Sequence, residues 1–148
     1  MNKILVISLD KRFKKFERKV KNTALKILKI LKKTNVSLEI YLVNSQKMRF
    51  LNKKFRGQDK TTTVLSFEEP RNFILPPSKF KRIGEIYLNL TNDLRLATND
   101  RRKLSVVSCR LLVHGLLHLL GYNHQKKSDR IRMERKERKL LKFLITNS

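Results

Sequence analysis

The sequence is short of cysteine, of acidic residues and of long apolar runs. Cys109 is the only cysteine among the 148 residues, so no intrachain disulfide can form. It lies in an apolar helical pattern, where we expect a small core residue rather than a catalytic thiol. The chain contains no run of about 18 apolar residues, and its N-terminus lacks the long apolar region of a secretory signal. These absences predict a cytoplasmic protein with no membrane segment.

Basic residues greatly outnumber acidic ones. Lysine and arginine number 36 against 12 aspartate and glutamate residues, which gives a formal net charge of +24. A modest excess of basic residues would only keep the surface solvated. Here the chain carries one uncompensated positive charge for about every six residues. An excess of this size attracts polyanions in a salt-dependent way. Composition therefore favours a nucleic acid as the partner. An anionic membrane surface is the competing partner, but it would not require the histidine site described below.

Hydrophobic periodicity predicts strands and helices that alternate along one domain. Four strands are expected at residues 3–8, 36–43, 61–67 and 83–90, and a proline-containing loop at 68–81. Five helices are expected at residues 11–33, 45–56, 94–98, 101–120 and 129–144. We expect Ser45 to be the N-cap of the second helix, Asn99–Asp100 to cap the fourth, and Ser128 with Asp129 to start the fifth.

These elements predict an α+β fold in which residues 1–148 form a single domain. About four strands would form a mixed sheet packed with about five helices. The helix at 101–120 is apolar nearly all round, which indicates a buried central helix against the sheet. Its main polar stripe is Arg110, His114 and His118, spaced four residues apart. We expect this stripe to line a cleft rather than open solvent.

All three histidines lie in one segment, HGLLHLLGYNH, at residues 114–124. On a helix, His114 and His118 would lie one turn apart on the same face. Gly121 is suited to end that helix through a left-handed residue, so the chain can fold back and bring His124 towards the other two. A pair of histidines alone is often accidental, but three imidazoles with one open position are the ligand set of a catalytic zinc. We predict a metal site held by these three residues.

The histidine spacing also matches that of the HExxHxxGxxH metalloproteases. In those proteases a glutamate that acts as general base follows the first histidine. Gly115 occupies that position here. Without the proton acceptor, peptide hydrolysis by the usual route is disfavoured.

Four blocks of the sequence resemble the YbeY family of metal-dependent endoribonucleases, also called rRNA maturation factors. HGLLHLLGYNH is similar to that family's HGxLHLxGYDH signature. Residues 51–60 and 62–67 resemble its LNxxYRxxDxPTDVLSF block, and residues 83–86 resemble its LGDI strand. Met133 and Glu137 have the spacing of its last helix. The matches run from about residue 38 to residue 141.

The resemblance implies a single-strand-specific ribonuclease that acts in small-subunit rRNA 3′-end maturation and in ribosome quality control. It implies zinc bound by His114, His118 and His124. The implied partners are the rRNA precursor and the small ribosomal subunit, with small-subunit ribosomal proteins and a ribosome-assembly GTPase. Arg56 takes the place of the family's functionally important arginine, which faces the metal cleft, and a guanidinium there suits phosphate binding. We therefore expect Arg56 and His114 to carry catalysis.

Two positions depart from the family pattern. Asn123 replaces the aspartate beside the last histidine, and Thr63 replaces the aspartate of PTDVLSF. Asparagine can accept a hydrogen bond but carries no charge, so catalysis would be weaker if that aspartate tunes the metal site. The alternative function is a non-catalytic ribosome-assembly factor in which zinc staples the fold and the basic surface holds rRNA. A structural zinc would then have a fourth protein ligand.

Overall fold

The computed structural model describes residues 1–69, 79–96 and 104–146. Within these ranges one sheet contains the strands β1 (Lys3–Ser8), β2 (Val36–Val43), β3 (Val64–Glu68) and β4 (Lys81–Asn89). A 3₁₀ helix (Lys11–Phe16) precedes the α-helices α1 (Glu17–Ile30), α2 (Ser45–Arg56), α3 (Thr91–Leu96), α4 (Val106–Leu119) and α5 (Lys127–Thr146). The predicted α+β fold is confirmed. No α-helix of the described ranges combines the length and apolarity needed to span a membrane.

The sheet is mixed and has the strand order β1-β2-β4-β3. β1 and β4 both run parallel to β2, whereas β3 pairs with β4 in the antiparallel sense. A parallel pair needs a crossover connection, and α1 provides it between β1 and β2. Along β2 the alternating residues Leu38, Ile40 and Leu42 are buried, as the period of two predicts. The main core lies between this face of the sheet and the helices α1, α4 and α5, and a smaller cluster joins α2 to the other face through Val43, Met48, Leu51 and Leu65.

α4 is the central helix of this core. It packs against β3 and β4 on one side and against α1 and α5 on the others. Leu112, Leu116 and Leu117 are fully buried, which confirms the buried helix expected from its apolar sequence. Because α4 contacts β3 at the edge of the sheet, its polar residues open onto that edge.

The helix predicted at residues 11–33 is divided in two. Asp10 accepts a hydrogen bond from the Arg12 backbone N–H and starts the 3₁₀ helix, and the regular helix begins only at Glu17.

The predicted N-cap Ser45 is wrong, because the preceding Asn44 caps α2 by accepting from the Lys47 backbone N–H at 2.8 Å. The Ser45 backbone N–H instead donates to the hydroxyl of Thr91.

The prediction that the central helix begins at residue 101 is also wrong. Ser105 has extended backbone angles and its side chain accepts from the Ser108 backbone N–H, so α4 begins at Val106. Asp93 fixes this start, because its carboxylate accepts from the Ser105 backbone N–H at 2.7 Å. The expected cap at Asn99–Asp100 lies outside the described residues, as does most of the predicted loop at 68–81.

β3 begins three residues later than the threonine run at 61–63 predicts. It begins at Val64, because Thr61 lies against the start of α2, where its hydroxyl donates to the Ser45 carbonyl at 3.0 Å. β4 begins at Lys81, two residues earlier than expected, and the last helix is longer than residues 129–144.

Candidate metal centre

The end of α4 and the turn after it bring the three histidines together. His114 and His118 lie on successive turns of α4. Gly121 has φ = 102°, and the Tyr122 backbone N–H donates back to the Leu117 carbonyl at 3.0 Å. This left-handed ending is the one expected from the sequence, and it reverses the chain so that His124 approaches the helix.

The ring nitrogens of the three histidines converge on one point. The Nε2 atom of His118 lies 3.1 Å from Nε2 of His114 and 3.1 Å from Nε2 of His124. All three ligand atoms lie within 4.8 Å of one another. His114 and His118 are partly buried, whereas His124 is exposed at the mouth of the site.

A carboxylate on α5 sets the tautomer of His114. Nδ1 of His114 lies 2.6 Å from Oε1 of Glu137, whose side chain is 14% exposed. A carboxylate oxygen accepts, so Nδ1 donates its hydrogen and the lone pair is left on Nε2. Such an outer carboxylate is the usual partner of a metal-binding histidine, because it fixes the ring orientation and increases the basicity of the ligand.

His118 is kept in its neutral form. Burial lowers the pKa of its imidazole, and the neighbouring His114 and His124 lower it further. Burial disfavours the charged form of a histidine because the surroundings solvate the imidazolium poorly. A hydrogen bond with the Tyr122 backbone acts in the opposite direction but does not reverse the shift. A neutral ring offers the lone pair that a metal ion needs.

The donor set fits zinc. Tetrahedral zinc with Zn–N bonds of about 2.0–2.1 Å places its nitrogen ligands about 3.3 Å apart, close to the 3.1 Å of two of the three pairs. In the part of the chain that the structure describes, the cluster consists of these three histidines, and no fourth candidate ligand joins it. Cys109 packs against the core instead, and burial raises the pKa of its thiol, as expected for a core residue.

Arg56 lies in a cleft beside the histidines. The cleft has a volume of about 560 Å³ and runs between β3 and α4, with Arg56 on one side and His114 and His118 on the other. The guanidinium donates from Nη2 to the Ser66 carbonyl at 3.0 Å, and its carbon lies 5.0 Å from the centre of the Phe67 ring. These contacts hold an exposed cation at the side of the candidate metal site.

A second cleft reaches the histidines from the side of α5. It has a volume of about 710 Å³ and is lined by Arg110, His114 and His124 together with Glu134 and other residues of α5. The polar stripe of α4 therefore lines two clefts that meet at the histidines, as predicted, but only His114 and His118 are partly buried, whereas Arg110 is exposed.

Gly115 lies where the helix approaches the sheet most closely. A Cβ atom at this position would lie 2.9 Å from Oγ of Ser66 and 3.3 Å from Cδ1 of Ile86. Position 115 thus points into the packed interface between α4 and the sheet. The sequence showed that the protease glutamate is missing, and the packing shows that this position has no room for it.

The two departures from the family pattern take ordinary structural positions. Oδ1 of Asn123 accepts from the Gln125 backbone N–H at 3.1 Å, which closes a small turn around His124. Aspartate makes the same bond in such turns, so the replacement preserves the local shape and removes a charge. Thr63 is exposed, and its carbonyl accepts from the Asn89 backbone N–H.

The direct contact of Glu137 with His114 was not anticipated from the residues themselves. The signal was nevertheless present, because Glu137 follows Met133 by one helical turn on the side of α5 that also carries Leu140 and Leu144. Those three apolar residues are buried. A carboxylate within an apolar stripe needs a partner, and His114 is that partner.

Comparison with known proteins finds relatives that cover most of the chain. An Endoribonuclease YbeY from Anaeromyxobacter sp. (strain Fw109-5) is 37% identical over 123 residues, which cover 83% of this chain and 62% of the relative. The Endoribonuclease YbeY of Aquifex aeolicus is 34% identical over 145 residues, which cover 98% of this chain and 91% of the relative. The chain thus spans somewhat less than two thirds of the Anaeromyxobacter protein and most of the Aquifex one.

A solved structure shares the fold. The solution structure of the Thermotoga maritima protein TM1509 superposes with a TM-score of 0.53 at 24% sequence identity, covering 93% of this chain and 86% of the other. At this identity the likeness concerns the fold alone. A family model described as Endoribonuclease YbeY matches residues 2–145. From this match and the full-length similarity to the Aquifex protein, the chain belongs to the YbeY endoribonuclease family.

Proposed function

We propose that this protein is a zinc-dependent endoribonuclease that cleaves single-stranded RNA. Its substrate would be the rRNA precursor, with action at the 3′ end of the small-subunit rRNA and in ribosome quality control in the cytoplasm. Small-subunit ribosomal proteins and a ribosome-assembly GTPase would be its partners. The observation that carries the proposal is the convergence of three imidazole nitrogens beside the Arg56 guanidinium in one cleft.

The chain's own residues account for substrate binding. The Arg56 guanidinium presents several N–H donors, and those not used by Ser66 are available to a phosphate in the cleft. Because this cation is held by two contacts before substrate arrives, it stabilises the charge that develops at phosphorus without reorganising. The net charge of +24 draws the polyanion to the surface.

His114, His118 and His124 would hold the metal ion, and Glu137 would keep the His114 ring in the orientation that binding requires. When bound there, zinc supplies Lewis acidity towards a phosphoryl oxygen or a water molecule. Gly115 is packed against the sheet, so the glutamate base of a metalloprotease has no counterpart at this position. RNA cleavage therefore fits the site better than peptide hydrolysis.

A zinc-stapled, non-catalytic RNA-binding factor is the alternative. It would use the same histidines and the same basic surface, but its metal would be fully enclosed by protein ligands. The cluster has three ligands among the described residues, and two clefts reach it. This arrangement favours a catalytic site.

The test is a cleavage assay on a single-stranded rRNA precursor and on duplex RNA, with zinc and with a chelator. We expect zinc-dependent cleavage of the single strand by the intact protein and none by the His114→Ala and His118→Ala variants. Undiminished cleavage by metal-free protein would overturn the zinc mechanism. RNA binding without any cleavage would favour the non-catalytic alternative.

A further inference from the structure

Two phenylalanines of α2 are more than half exposed. Phe50 is 55% exposed and Phe55 is 54% exposed. The buried side of the same helix is formed by Met48, Leu51 and Asn52, so the helix does not need the two rings to pack on the sheet. Exposed apolar side chains that belong to one contiguous patch mark an interaction surface more often than scattered ones do.

These rings are connected to the candidate metal site. The Arg56 guanidinium lies 5.0 Å from the centre of the Phe67 ring at the wall of the cleft. The Phe67 ring in turn meets the Phe55 ring edge to face, with their centres 5.4 Å apart. A series of ring contacts therefore leads from the cleft to Phe55, at the end of α2.

Lysines continue the series along α2. Nζ of Lys54 lies between the two exposed rings, 5.4 Å from the centre of Phe55 and 5.9 Å from that of Phe50. Nζ of Lys47 lies 5.2 Å from the centre of Phe50. We name this surface the aromatic–cationic track; in order from the cleft its members are Arg56, Phe67, Phe55, Lys54, Phe50 and Lys47.

We propose that the aromatic–cationic track binds single-stranded RNA and guides it into the metal-site cleft. Unpaired bases would stack on the exposed rings of Phe50 and Phe55, and the phosphates between them would meet Lys47 and Lys54. Every base has a flat face, so such a surface binds strands of any sequence. A duplex hides those faces, so the track would favour single strands over duplexes. This inference rests on the proposed function, because RNA is the substrate assumed there.

Carboxylates beside the track favour one path for the strand. Glu68, Glu69 and Glu85 line a recess of about 280 Å³ beside Phe55 and Phe67, and Glu68 also borders the metal-site cleft. Glu69 and Glu85 share the single positive charge of Arg82, so the recess keeps a net negative charge. It would repel phosphates, and the backbone of the RNA would run along the lysine side. The chain has only 12 acidic residues. Because three of them lie beside the track, the surface here has a basic side and an acidic side and is not uniformly basic.

The track is tested by equilibrium binding of a fluorescent 2′-O-methylated single strand to the full zinc-loaded protein, with strand integrity checked on a gel. Phe50→Leu and Phe55→Leu keep an apolar side chain but remove the stacking face. We expect each to weaken single-strand binding about 5-fold or more, because base–aromatic stacking contributes about 1–3 kcal/mol per base. Binding of a duplex should be unchanged. Phe143→Leu is the matched control, since Phe143 is 49% exposed on α5 and lies outside the track.

The salt dependence of binding separates stacking from charge. Lys54→Met should reduce the slope of log affinity against log salt concentration by about 0.7, the value for one phosphate contact on a single strand. The two leucine variants should lower the affinity and leave the slope unchanged. A similar loss of affinity for duplex and single strand would contradict stacking on the rings.

The outcomes distinguish this inference from the proposed function. If Phe50→Leu and Phe55→Leu bind the single strand as tightly as Phe143→Leu does, the track is overturned even if the intact protein cleaves RNA. If they bind weakly while no form of the protein cleaves RNA, the track stands and the proposed nuclease activity fails. Circular dichroism of each variant confirms that the exposed substitutions leave the fold intact.

Discussion

The His114 ring is held by Glu137 through a contact of 2.6 Å between Nδ1 and Oε1, and this contact joins α4 to α5. It lies at the inner end of the histidine cluster, where the Glu137 side chain is 14% exposed. The position of the first histidine therefore depends on how the last helix packs. Met133, one turn before Glu137, is fully buried and anchors that packing.

Glu137→Gln should weaken zinc binding by about 10- to 100-fold, the usual cost of losing the carboxylate behind a metal-binding histidine. The glutamine amide can still form a hydrogen bond, but it is neutral and no longer increases the basicity of His114. Competition with a chromogenic chelator measures the affinity. Glu134→Gln is the control, because Glu134 lies on the same helix and lines the second cleft without contacting His114. Equal affinities for the two variants would exclude this role for Glu137.

Gly115 gives a prediction about packing. In Gly115→Ala the Ser66 hydroxyl can rotate away from the new methyl group, and alanine adds about 1 kcal/mol of helix propensity, so the free energy of unfolding should change little. Gly115→Glu should destabilise the protein by about 2 kcal/mol or more, because a long charged side chain is forced against the sheet. Chemical denaturation measures both. If Gly115→Glu had the same free energy of unfolding as the wild type, α4 would have to be able to move away from the sheet to accommodate the side chain.

The sequence was sufficient to predict the strand count, the buried central helix and the turn at Gly121. Each of these depends on local periodicity or on one residue with a special backbone preference. The apolar stripe of α5 indicates that Glu137 needs a partner, but it does not indicate which one. That this partner is His114, and that Gly115 packs on Ser66, could not be derived in this way, because these contacts join elements far apart in the chain. The split at Phe16 and the cap at Asn44 were missed for different reasons. No side chain caps the start of α1 at Phe16, so no residue marks that boundary in the sequence. Asn44 and Ser45 are both suitable caps for α2, and tertiary contacts selected Asn44.

Arg56 should affect cleavage rather than metal binding. Removal of one preorganised donor commonly lowers kcat by about 100-fold or more, which we expect for Arg56→Ala. Arg56→Lys should recover part of the rate, because it keeps the charge but not the planar donor pair. Zinc content and thermal stability should stay at wild-type values, since the side chain is exposed. Arg49→Ala is the control on the same helix, where Arg49 pairs with Asp59. Loss of zinc from Arg56→Ala would instead indicate a structural role.

Asp10 should make stability depend on pH in the acid range. Its carboxylate accepts from the side chain and backbone of Arg12 and from the Asn44 amide, so it joins the 3₁₀ helix to the start of α2. The hydrogen bond from the Arg12 side chain is the main reason that the pKa of Asp10 lies well below its usual value. The folded state therefore releases this proton more readily than the unfolded chain does. The resulting stability is complete above the ordinary pKa of about 4 and is lost as the pH falls through the folded value.

Asp10→Asn tests this linkage, because asparagine can still cap the helix but does not titrate. The difference in the free energy of unfolding between the intact protein and the variant should be largest at neutral pH and should shrink as the pH falls below about 4. Asp59→Asn provides the comparison. Asp59 and Arg49 are both more than half exposed, so solvent screens their pair. The difference in the free energy of unfolding between the intact protein and Asp59→Asn should therefore change little with pH. A constant difference for Asp10→Asn from pH 7 to pH 2 would mean that the Arg12 pair does not survive in solution.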